Sequence, residues 1–432
     1  MMNPEFKRHL WQEISLHRLI AMPGMLFLLF LVSYLADHTH KLANLGSTAL
    51  TLYVVILLMW GTRNVSACLI DEWRDQTWDQ QRMSALSPWT MTWGKLAGAS
   101  MFQWYGAALC LAVMLLAGLA EGDPDIFLRV VILVALAIML HATNLAITLH
   151  IFIQEKRNRM RNNIGPFLLL IAILALSLIN GLERTKTLIF WWQMSFDPAV
   201  FWLASSLLFA TWAVFGAWRV MASALQEYQF GWAWPAFGIT LGIYFAGFVE
   251  SLNQANALGM VLLISLLLTY FGLVSEIYQR VQWQRLLLRW QAKDYRGLLQ
   301  RLPLWPSSML LALLCALLLL PFAPGHVLDN PLRFGRAETI PPFAVVLMVM
   351  RDAALLYFFV LAPHAKRALG TTLLYLALLD GLLPFLASVT DQAWLGIIFF
   401  PLSATGNIAL IGMLAHFLLA AMLLRWRWKT SA

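Results

Sequence analysis

Long apolar runs, separated by short charged segments, follow one another from the start of the chain to its end. A helix that crosses the hydrocarbon core of a bilayer needs roughly 20 mostly apolar residues. Twelve runs approach this length, and we predict a membrane-spanning helix for each; because several are short, the expected total is ten to twelve. The runs cover residues 19–35, 47–59, 96–119, 130–152, 164–179, 199–218, 237–248, 257–273, 309–322, 343–361, 371–386 and 408–424.

The runs form two sets of six, which points to an internal repeat. Four landmarks of the first half recur 205 to 212 positions later. The pairs are Pro23 and Pro235, Trp78 and Trp283, Lys156-Arg157 and Lys366-Arg367, and Arg219 and Arg427. We predict an all-α integral membrane protein of two parallel six-helix repeats, residues 1–218 and 219–432. The alternative is that any two six-helix stretches align because their apolar runs do.

Composition excludes a soluble globular domain. Of the 432 residues, 60% are hydrophobic and 12% are charged, whereas soluble domains average about 45–50% and about 25%. The three cysteines, Cys68, Cys110 and Cys315, lie far apart in or beside apolar runs. They predict neither a disulfide framework nor a metal site.

The distribution of lysine and arginine predicts the orientation of the helices. Segments on the side of the N-terminus hold 23 of these residues, and the opposite segments hold six. Because cytoplasmic loops carry the excess of positive charge, both termini are predicted to lie in the cytoplasm. The net charge of +8 then reflects the topology and contact with membrane lipids, and nucleic acid is not an expected partner.

Two charged segments interrupt the apolar pattern, each between the second and third runs of its half. The first, residues 72–95, reads EWRDQTWDQQRMSALSPWTMTWGK. Within it, Ser87 is the predicted N-cap of the next helix and Pro88 its first residue. The second covers residues 276–303 and contains an apolar stripe with helical spacing, Trp283, Leu287 and Trp290.

Each segment has two possible interpretations. It could be an interfacial helix whose tryptophans lie at headgroup depth, or a docking element for a soluble partner. The first segment also contains three acids, Glu72, Asp75 and Asp79. Acids beside an anionic leaflet are repelled, so they favour docking for the first segment.

Several short motifs flank the first apolar runs: NPEF followed by KRHLWQEIS before the first run, and then TWD, LSPW and WGKL between the second and third. Together they resemble the ABC-2 type permeases of bacterial ATP-binding-cassette exporters. The resemblance covers the first 220 residues well and the second half only loosely, where LPLWPSSML lacks the Gly-Lys pair.

The resemblance implies an N-terminal interfacial helix and a coupling helix seated on an ATPase. The implied coupling residues are Glu72, Thr77, Trp78, Asp79, Pro88, Gly94 and Lys95, with the looser counterparts Glu276, Trp283 and Trp290. Two fused units in one chain imply two ATPase subunits beneath it, in a bacterial inner membrane. The chain is not expected to be an enzyme, because Leu96 stands where a phosphate-binding loop needs Ser or Thr after Gly-Lys. No cofactor is expected in this chain, and ATP and Mg²⁺ would be bound by the partner.

Polar residues inside the predicted spans form the second group of candidates. They are His141, Asn144, Arg351, Asp352 and Asp380. His141 and Asn144 lie one turn apart on one helix face, which predicts hydrogen bonds between helices. Arg351 is expected to pair across helices rather than with its neighbour, either to pin helix packing or to line a substrate path.

Two rival functions are also compatible with the sequence. Arg351, Asp352 and Asp380 could form the proton relay of an ion-coupled secondary transporter. A membrane enzyme could use His141 or His416, although neither has a paired carboxylate in sequence.

Overall fold

A computed structural model gives the fold of the protein. It describes residues 3–36, 41–84, 86–154, 188–227, 232–249, 254–276, 280–322, 340–362, 367–390, 392–404 and 406–430. Three predicted features lie outside these ranges: the fifth run at residues 164–179, the pair Lys156-Arg157, and Lys366.

Helices dominate the described residues. The helices of the first half are α1 (Pro4–Glu13), α2 (Leu16–Ala36), α3 (Lys41–Arg74), α4 (Trp78–Arg82), α5 (Pro88–Gly98), α6 (Met101–Glu121), α7 (Ile126–Gln154) and α8 (Pro198–Ala224). Those of the second half are α9 (Ala233–Ala246), α10 (Gln254–Ser275), α11 (Arg280–Gln291), α12 (Tyr295–Arg301), α13 (Leu304–Leu319), α14 (Pro342–Val360), α15 (Ala368–Val389), α16 (Ala393–Phe399) and α17 (Gly406–Thr430).

The protein is an all-α, multi-pass membrane protein. Among the described residues, ten helices are long and apolar enough to cross a membrane. They correspond to ten of the twelve predicted runs. The run at residues 237–248 corresponds instead to the 14-residue helix α9, which is shorter than a span. The spanning helix of the third run begins at Met101 in α6, because a turn at residues 99 and 100 separates α5 from α6.

Within the described ranges, two spans contain a π-helical turn. Val54–Gly61 interrupts α3, and Ala377–Leu382 interrupts α15. A π-turn shifts the register of backbone hydrogen bonds and leaves carbonyls available to side chains. Asp380 lies in the turn of α15, and the carbonyl of Leu57 in the turn of α3 accepts a hydrogen bond from His141.

The chain forms two compact units. The first comprises Met1–Ile189 and Ser195–Gln229, and the second comprises Phe190–Met194 and Phe230–Ala432. The predicted boundary after residue 218 lies inside α8, which continues to Ala224.

A short two-stranded hairpin is the one sheet found in the described residues. Its strands are β1 (Ile189–Trp191) and β2 (Met194–Phe196). Trp192 and Gln193 form its turn with φ of 52° and 57°.

Each unit has its own apolar core. In the first, α3 packs on α6, and the hydroxyl of Tyr53 donates to the carbonyl of Leu133 at 2.8 Å, which ties α3 to α7. In the second, α10 packs on α13, and Thr269 donates to the Ser308 hydroxyl at 3.0 Å between them.

Candidate functional site

The N-terminal helix α1 is fixed at its first residues. Asn3 Oδ1 accepts hydrogen bonds from the backbone N–H groups of Glu5 and Phe6, at 3.0 and 3.4 Å, so this side chain caps the helix. Asn3 Nδ2 donates to the carbonyl of Thr90 at 2.7 Å. Because Thr90 lies in the first turn of α5, one side chain both starts α1 and holds it against α5.

Two glycines of α5 allow α1 to approach closely. A Cβ atom on Gly94 would lie 2.5 Å from Cβ of Glu5, and one on Gly98 would lie 2.8 Å from Cβ of His9. Both pairs have the i, i+4 spacing, so successive turns of α1 rest on successive turns of α5. A larger residue at either glycine would push α1 away.

Four charged side chains meet where α1, α3 and α5 join, and we call them the junction cluster: Glu5, Arg8, Glu72 and Lys95. Lys95 Nζ donates to the two oxygens of Glu72 at 2.6 and 2.7 Å, and to Glu5 Oε1 at 2.9 Å. Arg8 donates to Glu5 at 2.7 Å and also to Glu72. The Lys95 side chain has 0% exposure. The cluster thus places two buried carboxylates against the buried Lys95, with the Arg8 side chain, which is 34% exposed, at its edge.

These contacts shift the pKa values of the cluster residues that lie outside the spanning helices, namely Glu5, Arg8 and Lys95. Burial raises the pKa of Glu5, but the hydrogen bond with His9 and the charge of Lys95 outweigh it and hold this pKa well below its usual range. Burial lowers the pKa of Arg8 and of Lys95, but the carboxylates of Glu72 and Glu5 raise both above their usual values. The three groups are therefore charged at neutral pH.

A set of metal-type ligands lies beside the cluster. His9, Cys68 and Glu72 each place one ligand atom within 4.8 Å of the others. Both oxygens of Glu72 already accept from Lys95, and Arg8 adds a second positive charge. A metal cation would meet both charges, so the donor set fits an ion-pair junction better than a metal centre.

The junction cluster also holds the turn that leads to α4. The N–H and the hydroxyl of Thr77 donate to the carbonyl of Glu72, at 2.9 and 3.1 Å. Gln81 Oε1 accepts from Lys95 at 3.1 Å, and the Lys95 ammonium lies 5.8 Å from the centre of the buried Trp78 ring. The short helix α4 is therefore attached both to α3 and to α5.

The start of α5 agrees with the sequence prediction. Ser87 Oγ accepts from the Thr90 N–H at 3.2 Å, and Pro88 is the first residue of the helix. The predicted N-cap is confirmed. Capping and proline preferences act within a few residues, so they can be recognised without tertiary structure.

The seven residues predicted to couple to an ATPase have very different exposures. Asp79 is exposed and Thr77 half-buried. The other five are buried, namely Glu72, Trp78, Pro88, Gly94 and Lys95. The motif resemblance predicts one docking element from all seven, but in the structure the buried five hold the segment in place.

The contribution of α1 to the site is not among the features predicted from the sequence. Glu5, Arg8 and His9 occupy one face of this helix at i, i+3 and i+4, and that face packs on α5. A polar face of this kind, with Gly94 and Gly98 spaced i, i+4 further along the chain, is the signal that could have suggested the contact.

The second charged segment is attached differently, through aromatic side chains. The Trp283 ring on α11 lies 6.1 Å from Trp305 and 5.6 Å from Tyr357, both on spanning helices. Glu276 Oε2 accepts from the Leu304 N–H at 2.8 Å, at the start of α13. Trp290, by contrast, is 60% exposed.

Inside the second unit, Arg351 is the centre of what we call the intramembrane cluster, with Asp352, Asp380 and Tyr270. Arg351 donates to Asp380 at 2.9 and 2.5 Å and to Asp352 at 2.8 Å. The Tyr270 hydroxyl donates to the second oxygen of Asp352 at 2.5 Å. Pairing across helices is present as predicted, but the expectation that Arg351 avoids its neighbour is wrong, because its long side chain folds back to Asp352.

His141 and Asn144 both bind backbone carbonyls of α3. His141 Nε2 donates to the carbonyl of Leu57 at 3.1 Å, and Asn144 Nδ2 donates to that of Thr62 at 2.6 Å. Leu57 lies in the π-turn of α3 and Thr62 directly follows it. The two side chains make the interhelical hydrogen bonds that their spacing predicts.

His416, the other histidine considered for catalysis, makes a similar contact. Its Nε2 donates to the carbonyl of Ile398 at 2.9 Å. Both histidines thus use Nε2 to bind backbone, and in the described residues neither is hydrogen-bonded to a carboxylate that could orient it as a general base.

Comparison with protein families, with characterised proteins and with solved structures finds no significant match to this chain.

Proposed function

We propose that the chain is the transmembrane permease subunit of an ATP-driven exporter of the ABC-2 type. In this proposal it lies in a bacterial inner membrane with both termini in the cytoplasm. A separate ATPase, present as two subunits, binds the cytoplasmic segment that includes α4. The observation that carries the proposal is the rigid attachment of this segment to the spanning helices by the junction cluster.

Such an attachment suits the transmission of force. Buried ion pairs contribute little net stability, but they fix geometry, because each charge is costly to leave unpaired. Glu72 lies at the end of the spanning helix α3, and Lys95 lies two turns into α5, which leads to α6. A displacement of α4 by a partner would therefore move α3 and α5 together, instead of being absorbed by a flexible loop.

The surface that remains available to a partner is the outer side of α4 and its flanking turns. It carries exposed polar residues and one exposed methionine: Asp75, Gln76, Asp79, Gln80, Arg82 and Met83. Met83 is 82% exposed. We call these residues the docking face. Two acids beside an adaptable apolar side chain fit a groove that is basic at its rim and apolar inside.

Co-purification of the ATPase with the tagged full-length chain tests this proposal. Charge reversal of two exposed acids, Asp75→Lys with Asp79→Lys, should abolish ATPase binding, because a basic groove would then face two lysines. Glu72 is unsuitable for this test, since its reversal would disrupt the junction cluster itself.

A matched control is Glu121→Lys, which reverses an exposed acid at the last residue of α6. It should retain the ATPase. Wild-type levels of ATPase bound to the double variant would refute the docking face, provided that its melting temperature is unchanged.

The intramembrane cluster favours a second candidate function, an ion-coupled secondary transporter. A buried arginine faces two aspartates, one of which lies in a π-turn. With both aspartates ionised the three groups carry one net negative charge, and one proton would balance it.

Proton uptake into proteoliposomes under an imposed potential tests this function. Uptake that needs no ATP and is lost in Asp380→Asn would favour it over the permease. Absence of uptake in the wild-type protein would argue against it.

A further inference from the structure

The two charged segments differ in charge on the parts that are open to a partner. Residues 71–84 contain four acidic and two basic side chains, and one of the acids, Glu72, is paired in the junction cluster. Residues 280–301 contain six basic side chains and one acidic. We call the latter the basic segment. An ATPase that forms two copies of one docking groove presents the same charge to both segments. A groove complementary to the first segment would repel the second.

The basic segment lies at the ends of spanning helices. It joins α10, which ends at Ser275, to α13, which begins at Leu304. The Trp283 ring of α11 packs against Trp305 in the first turn of α13. Tryptophans at the ends of spans typically lie at headgroup depth, so α11 lies within reach of the bilayer surface.

The outer side of α11 is apolar and basic at once. Leu286 is the buried side chain of this helix. Val281, Arg285 and Leu288 have the i, i+4, i+7 spacing on the side turned away from it, and Val281 and Leu288 are 54% and 63% exposed. Exposure of two large aliphatic side chains beside an arginine favours a face that contacts lipid over a face that contacts water alone.

Further positive charge is brought to the same end of the second unit. The guanidinium of Arg280 lies 5.3 Å from the centre of the Trp428 ring, near the end of α17. The last turns of α17 add Arg425, Arg427 and Lys429. Apolar side chains among clustered lysines and arginines are the composition of helices that bind anionic membrane surfaces.

We propose that the basic segment binds the headgroups of anionic phospholipids in the leaflet beside it. Arg285, Lys293 and Arg296 are exposed and donate to lipid phosphates, while Val281 and Leu288 enter the acyl boundary. The binding anchors this end of the second unit to the membrane. It does not depend on an ATPase docking in the first unit, so either proposal can fail without the other.

Native mass spectrometry of the full-length protein in a neutral detergent tests the proposal. Phosphatidylglycerol should bind more tightly than phosphatidylcholine, and the difference should shrink with added salt. Arg285→Gln should weaken phosphatidylglycerol binding about fivefold, and the addition of Arg296→Gln should weaken it about fivefold again.

The matched control is Arg74→Gln with Arg82→Gln, which removes two exposed arginines from the first segment. This variant should bind phosphatidylglycerol like the wild type. Equal binding of the two lipids, or an equal loss in the control variant, would overturn the proposal.

A second measurement locates the contact. The chain with Cys68, Cys110 and Cys315 replaced by serine and with Leu288→Cys is labelled with bimane in nanodiscs. Brominated phosphatidylglycerol should quench the label more strongly than brominated phosphatidylcholine does. Lack of quenching by either lipid would place the helix away from the bilayer and refute the proposal. Co-purification of an acidic protein that protects the label would refute it in favour of a protein partner.

Discussion

The junction cluster of the first unit and the intramembrane cluster of the second use the same element in different surroundings. Each has a fully buried cation, Lys95 or Arg351, held by two carboxylates. In the junction cluster Arg8 supplies a second positive charge, so two cations face two acids. In the intramembrane cluster one cation faces two acids.

This difference in charge balance indicates which cluster can change its protonation or geometry. A balanced cluster at the ends of helices has no excess charge to relieve, so it suits a fixed joint. An unbalanced cluster inside a span has a charge that a proton or a bound cation could neutralise, and Asp380 lies in an irregular turn that could adjust. The first cluster is therefore suited to fixing the helices that it connects, and the second to the ion-coupled function proposed as the alternative.

Removal of Arg351 should have the largest effect on stability. Arg351→Met leaves Asp352 and Asp380 buried without their cation, which should cost about 3–5 kcal/mol. Denaturation by sodium dodecyl sulfate, followed by circular dichroism, measures this loss. The triple variant with Asp352→Leu and Asp380→Leu should recover most of it. A loss below about 1 kcal/mol for Arg351→Met would show that the pairing is unimportant.

Removal of Lys95 should cost somewhat less, about 3 kcal/mol. Lys95→Met leaves two buried carboxylates, but Arg8 still pairs with both. The same denaturation experiment measures the loss. Arg74→Met is the control, because its ion pair with Asp71 is exposed and worth about 0.5 kcal/mol or less. Equal stability of the two variants would show that the junction cluster does not hold α1, α3 and α5 together.

A substitution that separates α1 from α5 should lower the stability by a smaller amount. Gly94→Ala places a methyl group against Glu5, which should cost about 1–3 kcal/mol and loosen α1. Gly24→Ala is the control, because no atom lies within 4 Å of the added methyl. Faster proteolysis near residue 14 in Gly94→Ala alone would confirm the contact, and identical cleavage in both would contradict it.

The spans and the local features could be predicted from the sequence. Ten of the predicted runs correspond to spanning helices because a bilayer demands long apolar stretches regardless of tertiary packing. The N-cap at Ser87 and the helix face of His141 and Asn144 also depend on residues close in sequence. Each of these signals is complete within a few turns of one helix.

The junction cluster could not be predicted in the same way. Glu72 and Lys95 are 23 positions apart, and Glu5 and Lys95 are 90 positions apart. Nothing in either local sequence indicates which charge meets which. Charged residues near a membrane surface are ordinarily solvated, so the sequence favoured an exposed Glu72. Burial of such a set depends on the glycines of α5, whose effect appears only when α1 rests on them.

Acid should weaken the junction cluster through Glu5, with the smallest effect of the four. The pKa of Glu5 is lowered in the folded protein, so its contribution to stability is present above the unfolded-state pKa, about 4.3, and is lost as the pH falls. The loss should be about 0.4 kcal/mol at pH 4.3 and about 1.4 kcal/mol at pH 3.3. Because the pKa values of Arg8 and Lys95 are raised, the contribution of Lys95 is fully present below the usual lysine pKa of about 10.4, and that of Arg8 is fully present below the still higher arginine pKa, so neither is lost in acid. Denaturation of the wild type and of Glu5→Gln across this range separates the contribution of Glu5, since the variant cannot titrate there. If the two proteins lose stability in parallel as the pH falls, other carboxylates account for the acid sensitivity, and Glu5 does not tie α1 to the joint by its charge.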